Sequence, residues 1–411
     1  MLRDFIRTVL FERFPLVAGV CVGLGQAVLV AWALLLVGGP EALSGPRLGG
    51  AAVAAVALNA WAVPAVGLAR PRHRAGRILG PLYLGAAFAS SMLAAAGLLV
   101  LGLGAGAALL LAAAGLRGPE GIALLRAASG VVVLVSAASL AWGFAVEPRR
   151  VAVTRSILRV RGLHGSQRGL RVAHLSDLHI GNGLEGAVLD DLVARVNALA
   201  PDLVAITGDL FDHDPSALAS GARALAKLRA PLGVYAVLGN HDLYTGAEDV
   251  VGALRAASPH LRTLRGECVR LATQAPLYVA GLDDPGHDWT RRGLELPALA
   301  ALAAETPGDG PVILLVHRPE AFPQAAAAGF SLVLAGHFHG GQIALPGFGQ
   351  RWNAARALTA FPQGRFERDG ATLYVSRGLG VAGPRIRLAS RPEIALLELA
   401  PSEEDAVVPA A

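Results

Sequence analysis

The chain has 411 residues, of which 54% are hydrophobic and only 16% charged, with a net charge of +5. That apolar excess excludes a single ordinary soluble globule, and the length has room for two or three domains. Sixteen arginines and five acids lie up to Leu170, whereas twenty bases and twenty-six acids follow, so a +11 part leads into a −6 part.

The basic surplus sits beside hydrophobic stretches. That placement directs it to anionic headgroups or to topology, and no nucleic-acid partner is expected. Cys21 and Cys268 offer neither a disulfide framework nor zinc-ligand spacing.

Residues 15–38, 48–69, 82–114 and 122–146 are almost free of charge. Each is long enough for a membrane crossing, which takes about 20 helical residues, and the expectation is four spans in a membrane domain over 1–150. Arg3, Arg7 and Arg13 precede the first run, Arg70, Arg72, Arg74 and Arg77 follow the second, and Arg149, Arg150, Arg155, Arg159 and Arg161 follow the fourth. By the positive-inside rule the N-terminus, the central loop and everything after Pro148 then lie in the cytoplasm, giving a multi-pass inner-membrane protein. A cleaved secretory signal fits poorly, because the first run is too long for one and more spans follow. The spans carry only scattered polar side chains such as Gln26, Asn59 and Ser90, which points to an anchor rather than an ion path.

After Pro148 short apolar runs alternate with amphipathic segments, the pattern of an α/β domain, here 151–411. Leu170–Leu175, Leu203–Thr207, Val234–Leu238, Val312–Val316 and Leu332–Ala335 read as buried strands. Glu185–Ala200 has apolar residues at helical spacing, and Ala217–Leu228 also reads as a helix.

A polar cluster follows each strand: Ser176-Asp177-Leu178-His179, Gly208-Asp209, Gly239-Asn240-His241-Asp242, His317, and Gly336-His337-Phe338-His339. Ligands of α/β sheets gather at the carboxyl ends of strands, so all five clusters can meet in one crevice. Carboxylates, an amide oxygen and imidazoles form a mixed donor set suited to Mn, Fe or Zn. A pair of cations needs a shared anionic oxygen and open positions for water and phosphate.

These clusters, in this order, resemble the calcineurin-like metallophosphoesterase family over about Ser156 to Leu399. The resemblance implies a four-layer α-β-β-α sandwich with two divalent ions. It implies that Asp177, His179 and His339 hold the first ion, that Asn240, His317 and His337 hold the second, and that Asp209 bridges them. His241 matches the family's non-ligand histidine, which protonates the leaving oxygen, with Asp242 as the expected orienting partner.

The tails Gly340-Gly341-Gln342, Tyr374 to Gly380 and Arg391-Pro392-Glu393-Ile394 are similar to those of the membrane-anchored bacterial branch, part of which resembles hydrolases of UDP-sugar-lipid pyrophosphates. The expected function is hydrolysis of phosphodiester or pyrophosphate bonds by a metal-bound hydroxide. The phosphate-ester substrate is then lipid-linked, with membrane lipids as partners. A phosphodiesterase of soluble nucleotides, or a non-catalytic membrane sensor or scaffold, are the alternatives.

Several other polar residues receive plainer readings. His174 inside a strand reads as packed rather than ligating. Asp212, His213 and Asp214 either line the pocket or form a solvated turn. Asp283, Asp284, His287 and Asp288 read as a solvated loop, and Arg377, Arg385 and Arg387 as arginines on an exposed strand face.

Overall fold

The computed structural model describes residues 119–286, 296–344 and 353–402, together with positions among 20–27, 53–60 and 86–89 that are helical. Two compact units divide between Phe144 and Ala145.

In the first unit, helix α1 (Pro119–Ala145) is apolar around its circumference. Among the described residues one segment, Gly130–Arg149, is long and apolar enough to cross a membrane, with a mean hydropathy of 1.8. It exposes Val131, Leu134, Val135 and Trp142, an arrangement that water penalises and lipid does not. This helix overlaps the expected span 122–146 as far as Ala145. The expected four-helix region is not supported beyond it, since 15–38, 48–69 and 82–114 lie largely outside the described residues.

The second unit contains two six-stranded sheets. Its strands are β1 (Ala152–Val160), β2 (Arg171–Leu175), β3 (Leu203–Thr207), β4 (Val234–Val237), β5 (Leu261–Thr263), β6 (Glu267–Arg270), β7 (Tyr278–Gly281), β8 (Val312–Leu315), β9 (Leu332–Ala335), β10 (Gly364–Arg368), β11 (Ala371–Val375) and β12 (Glu393–Pro401). The first sheet runs β1-β12-β2-β3-β4-β5 and the second β10-β11-β9-β8-β7-β6. Strands β2 to β5 pair in parallel, as do β7, β8, β9 and β11, so the carboxyl ends of each set lie together.

Strand alternation explains the layers. On β2, Ala173 and Leu175 face outward with Val204 and Ile206 of β3 and meet helices α2 (Ala187–Ala198), α3 (Leu218–Leu225) and α5 (Ala247–Ala257) through Leu192, Val196, Leu225 and Leu254. The alternate residues Val172, Leu203, Ala205 and Val237 meet Val279, Ile313, Leu315 and Leu334 of the second sheet. On that sheet's other face, Ala280, Leu314 and Val333 pack on Leu299 and Leu302 of α6 (Leu296–Glu305) and on Phe322 and Ala325 of α7 (Phe322–Ala327). The layers therefore run helix, sheet, sheet, helix. With both faces of the central strands covered, their sequences are continuous apolar runs rather than alternating ones. His174 lies between the sheets and is fully buried, with Nε2 2.8 Å from Thr207 Oγ1. Burial lowers its pKa to about 3, so it packs as a neutral ring.

Candidate metal centre

Each polar cluster leaves the carboxyl end of its strand through a tight turn. Asp177, His179, Asp209, His337 and His339 all have positive φ, between 47° and 79°. For residues with a Cβ this left-handed backbone costs on the order of 1 kcal/mol each. Five such residues at one place mark a site whose surroundings force side chains to converge.

Glycines make the convergence possible. A Cβ on Gly336 would overlap Ser176 Oγ and Asp177 Oδ2, and one on Gly239 would overlap Asp209 Oδ1. Gly336→Ala therefore displaces Asp177, and the expected outcome is a loss of cation binding at the Asp177 side. Calorimetric titration of the metal-free protein with Mn²⁺ checks this, because undiminished affinity for both ions contradicts it.

Three groups of donors result among the described residues. Asp177, His179 and His339 form the first, Asp209, His317 and His337 the second, and His179, Asp212 and His241 a third that shares His179 with the first, with donor atoms in each within 4.8 Å of one another. In the first, His179 Nε2 and His339 Nε2 are 3.1 Å apart, and Asp177 Oδ1 is 3.6 Å from His339 Nε2. In the second, His337 Nδ1 is 3.1 Å from His317 Nε2. Asp209 Oδ2 joins the first and second, 3.6 Å from His179 Nε2 and 3.2 Å from His317 Nε2. Its other oxygen, Oδ1, accepts the His241 backbone N–H at 2.8 Å. One carboxylate oxygen is thereby held between these two groups.

The residues fit divalent cations. Metal–nitrogen bonds of about 2.1 Å at ordinary coordination angles put neighbouring donor atoms roughly 3.0–3.4 Å apart, which matches the imidazole pairs. Asn240 Oδ1 is buried without a hydrogen-bond partner, an arrangement that costs about 1–3 kcal/mol unless something positive meets the oxygen. His317 Nδ1 lies 2.8 Å from the Thr207 carbonyl, to which it donates, leaving the Nε2 lone pair for a cation. Burial opposes charge on His317, yet Asp209 and Asp177 raise its pKa to about 10. The surrounding carboxylates thus favour positive charge at this spot.

His241 lies beside the first two groups. Its Nδ1 is 2.9 Å from Asp212 Oδ1, and the same oxygen is 3.5 Å from His179 Nδ1. Burial lowers the pKa of His241, but Asp209 and then Asp212 outweigh it and hold the ring above its ordinary value. The expected partner, Asp242, is turned away. Its carboxylate is fully buried and accepts backbone N–H bonds from Leu210, Phe211 and Gly239 at 3.1, 2.9 and 2.9 Å. Asp242 sits one residue along the first turn of helix α4 (Asn240–Thr245) from His241, so the two side chains diverge. Asp212, three residues after Asp209, reaches the ring instead. Burial, with Asp209 nearby, raises the Asp242 pKa to about 7 against those three bonds.

Other polar residues also differ from expectation. Asp284 is not solvated: it forms a buried bidentate pair with Arg318, at 2.5 and 3.0 Å, next in sequence to His317. Asp283 accepts from Leu238 N and from Arg265, while His287 and Asp288 lie outside the described residues. Arg387 is fully buried rather than on an exposed face. It donates to the carbonyls of Gly380, Ser390 and Arg377, and its Nη2 is 3.2 Å from His339 Nδ1. No periodicity in the sequence distinguishes this arginine from its exposed neighbours. Arg377 pairs with Glu393 at 2.7 Å, and Arg385 contacts Asn182.

The model of the calcineurin-like phosphoesterase family matches residues 170–341. The chain is similar to an uncharacterized metallophosphoesterase of Aquifex aeolicus, 32% identical over 236 residues, 56% of this chain and 85% of that one. A Campylobacter jejuni metallophosphoesterase is 34% identical over 57% of this chain and 60% of its own length. A Bos taurus transmembrane protein with a metallophosphoesterase domain is 35% identical over 60% and 57%. The aligned stretch therefore spans less than two thirds of these last two relatives. Among solved structures, a dimetal phosphatase from Danio rerio covers 52% of this chain and 88% of its own, at 15% identity and a TM-score of 0.34.

Proposed function

The chain belongs to the calcineurin-like metallophosphoesterases, and from that premise we propose that it is a phosphoesterase that hydrolyses phosphodiester or pyrophosphate bonds at a two-cation centre. The observation that carries this reading is the single oxygen of Asp209 held 3.6 Å from His179 and 3.2 Å from His317. In this reading Asp177, His179 and His339 hold one ion, and Asn240, His317 and His337 hold the other. The mixed oxygen and nitrogen donors fit Mn, Fe or Zn. A bound cation pair supplies charge neutralisation at the phosphoryl oxygens and acidifies water for attack at phosphorus.

The chain's own groups do the rest. Asp209 Oδ1, by accepting the His241 N–H, fixes the first turn of α4, which carries His241. Asp212 holds the Nδ1 proton of His241, so Nε2 is the atom left to deliver a proton to the departing oxygen. Asp242 ties the two loops together through the backbone rather than acting on substrate.

The apolar segment Gly130–Arg149 and the relatives named as transmembrane proteins support placing this centre on a membrane anchor. With arginines clustered after that segment, the reading is a catalytic unit on the cytoplasmic side of the inner membrane. A substrate with a lipid tail suits such an anchor, since it reaches the enzyme by diffusion in the bilayer plane. A UDP-sugar-lipid is one member of that class.

The test is turnover of a chromogenic phosphodiester by the full chain with Mn²⁺. Asn240→Ala is expected to abolish it, and undiminished turnover sinks the two-cation reading. Asp212→Asn is expected to lower kcat at least about 10–100-fold, the usual cost of losing a partner of a metal-ligating histidine, since the same oxygen lies 3.5 Å from His179 Nδ1. The sign of its pH effect follows from Asp212 raising the His241 pKa. Without the carboxylate the protonated donor is lost at lower pH, so the alkaline limb of kcat moves toward acid. A pH–rate profile with an unmoved limb contradicts the pairing.

A further inference from the structure

Resting on the two-cation reading, we propose that Tyr244 is a positioning residue for the second cation site: its hydroxyl turns the Asn240 amide so that Oδ1, and not Nδ2, faces the ion. The two residues lie four apart on α4, the spacing at which helix side chains meet on one face. The Asn240 side chain is hydrogen-bonded to the Tyr244 hydroxyl. Asn240 Oδ1 has no hydrogen-bond partner, so the amide joins this bond through Nδ2. An amide nitrogen only donates, and the phenol oxygen therefore accepts.

The direction of that bond matters because an asparagine side chain is nearly symmetric in shape but carries opposite partial charges at its two ends. Its terminal torsion is broad and roughly two-fold, so the backbone of Asn240 permits both settings. In one setting a cation meets Oδ1 while the phenol oxygen meets Nδ2, and both ends of the amide are satisfied. The reverse setting keeps a bond to the phenol but points N–H at the ion. Asn240 is 2% exposed, which leaves the choice to neighbouring protein groups.

The hydroxyl is held in place from two sides. The Tyr244 ring lies parallel to that of His213, with centroids 5.2 Å apart and planes 9° from parallel, and it meets His241 edge-on at 5.4 Å. His213 closes the cluster by touching His241 at 4.8 Å. Beneath these rings the backbone of α4 is tied down. Asp242 accepts the Gly239 N–H, Asp209 accepts the His241 N–H, and Thr245 Oγ1 donates to the His241 carbonyl. The rise of the helix then fixes how far Tyr244 stands from Asn240. One short helix thus carries a cation ligand, the proton donor and the group that orients the ligand.

The experiment is calorimetric titration of the full chain, detergent-solubilised and stripped of metal, with Mn²⁺. Tyr244→Phe keeps the ring and its stack on His213 and removes only the hydroxyl. It is expected to weaken one of the two ions roughly 10–100-fold, the range for loss of an outer partner of a metal ligand, and to leave the other unchanged. In Asn240→Asp the two side-chain oxygens are alike, and either can meet the ion. Adding Tyr244→Phe to Asn240→Asp is therefore expected to change neither affinity by more than about twofold. A general loosening of α4 would weaken binding in both backgrounds alike.

Two ions bound as tightly by Tyr244→Phe as by the unsubstituted chain overturn the role of the hydroxyl and leave the two-cation reading standing. An equal loss with and without Asn240→Asp, or an equal loss at both ions, overturns it as well. An unsubstituted chain that binds fewer than two ions overturns the two-cation reading itself.

Discussion

His241→Ala lowers kcat for a phosphodiester by roughly 10²–10⁴-fold, the range for loss of a positioned proton donor, while the chain still binds two cations. His241 is held through Nδ1 by Asp212 and stands outside the two donor groups that Asp209 joins. Its removal leaves those groups complete. The deficit shrinks for esters with acidic leaving groups such as p-nitrophenol, because these depart without a proton. A series of leaving groups measured alongside metal content separates the roles. If cations are lost together with activity, His241 is a ligand and the proton-donor assignment is wrong.

Asp284→Ala destabilises the protein by about 3–5 kcal/mol, the typical cost of stranding one member of a buried ion pair. Asp284 and Arg318 have side chains 0% and 1% exposed, and the pair is bidentate. Removing the carboxylate leaves a guanidinium in a place that water does not reach. Asp284→Ala/Arg318→Met removes both charges and is expected to recover more than half of the loss, which thermal unfolding of the detergent-solubilised chain can read. A double variant no more stable than the single one contradicts the explanation. Since Arg318 adjoins His317, the single substitution is also expected to weaken the second cation site.

How much of this was legible in sequence depended on whether local pattern and tertiary demand agreed. The five strands that carry polar clusters are apolar because both faces are covered, so β2, β3, β4, β8 and β9 stand out as short Val, Ile and Leu runs. Helices α2 and α3 fall within the segments whose spacing predicts them. By contrast, β12 has the sequence Glu-Ile-Ala-Leu-Leu-Glu-Leu-Ala-Pro, rich in good helix formers. It is a strand because β1 and β2 flank it on either side, an instance of pairing overriding propensity. Strand β1 alternates exposed Val153, Arg155, Ile157 and Arg159 with covered positions that end in the core residues Leu158 and Val160, and its apolar residues on the open face hide that alternation in the sequence.

At the centre, residue types and order pointed to side chains that converge, but not to what positions them. Asp242 and Asp212 are equally plausible partners for His241 on a one-dimensional string. The first turn of α4 sends Asp242 into backbone bonds, and the loop after β3 brings Asp212 to the ring. A hint was present in the spacing of Asp209 and Asp212, three residues apart on one loop. Arg387 had no comparable signal, because its burial follows from a long segment folding back over His339.

Asp209 Oδ2 lies between His179 and His317, and counting bound ions tests most directly the proposal that it joins two cation sites. The full chain, stripped of metal and titrated with Mn²⁺, is predicted to bind two ions per chain, and Asp209→Asn to weaken both together. Saturation at a single ion, or an Asp209→Asn chain that binds two as tightly as before, would contradict it.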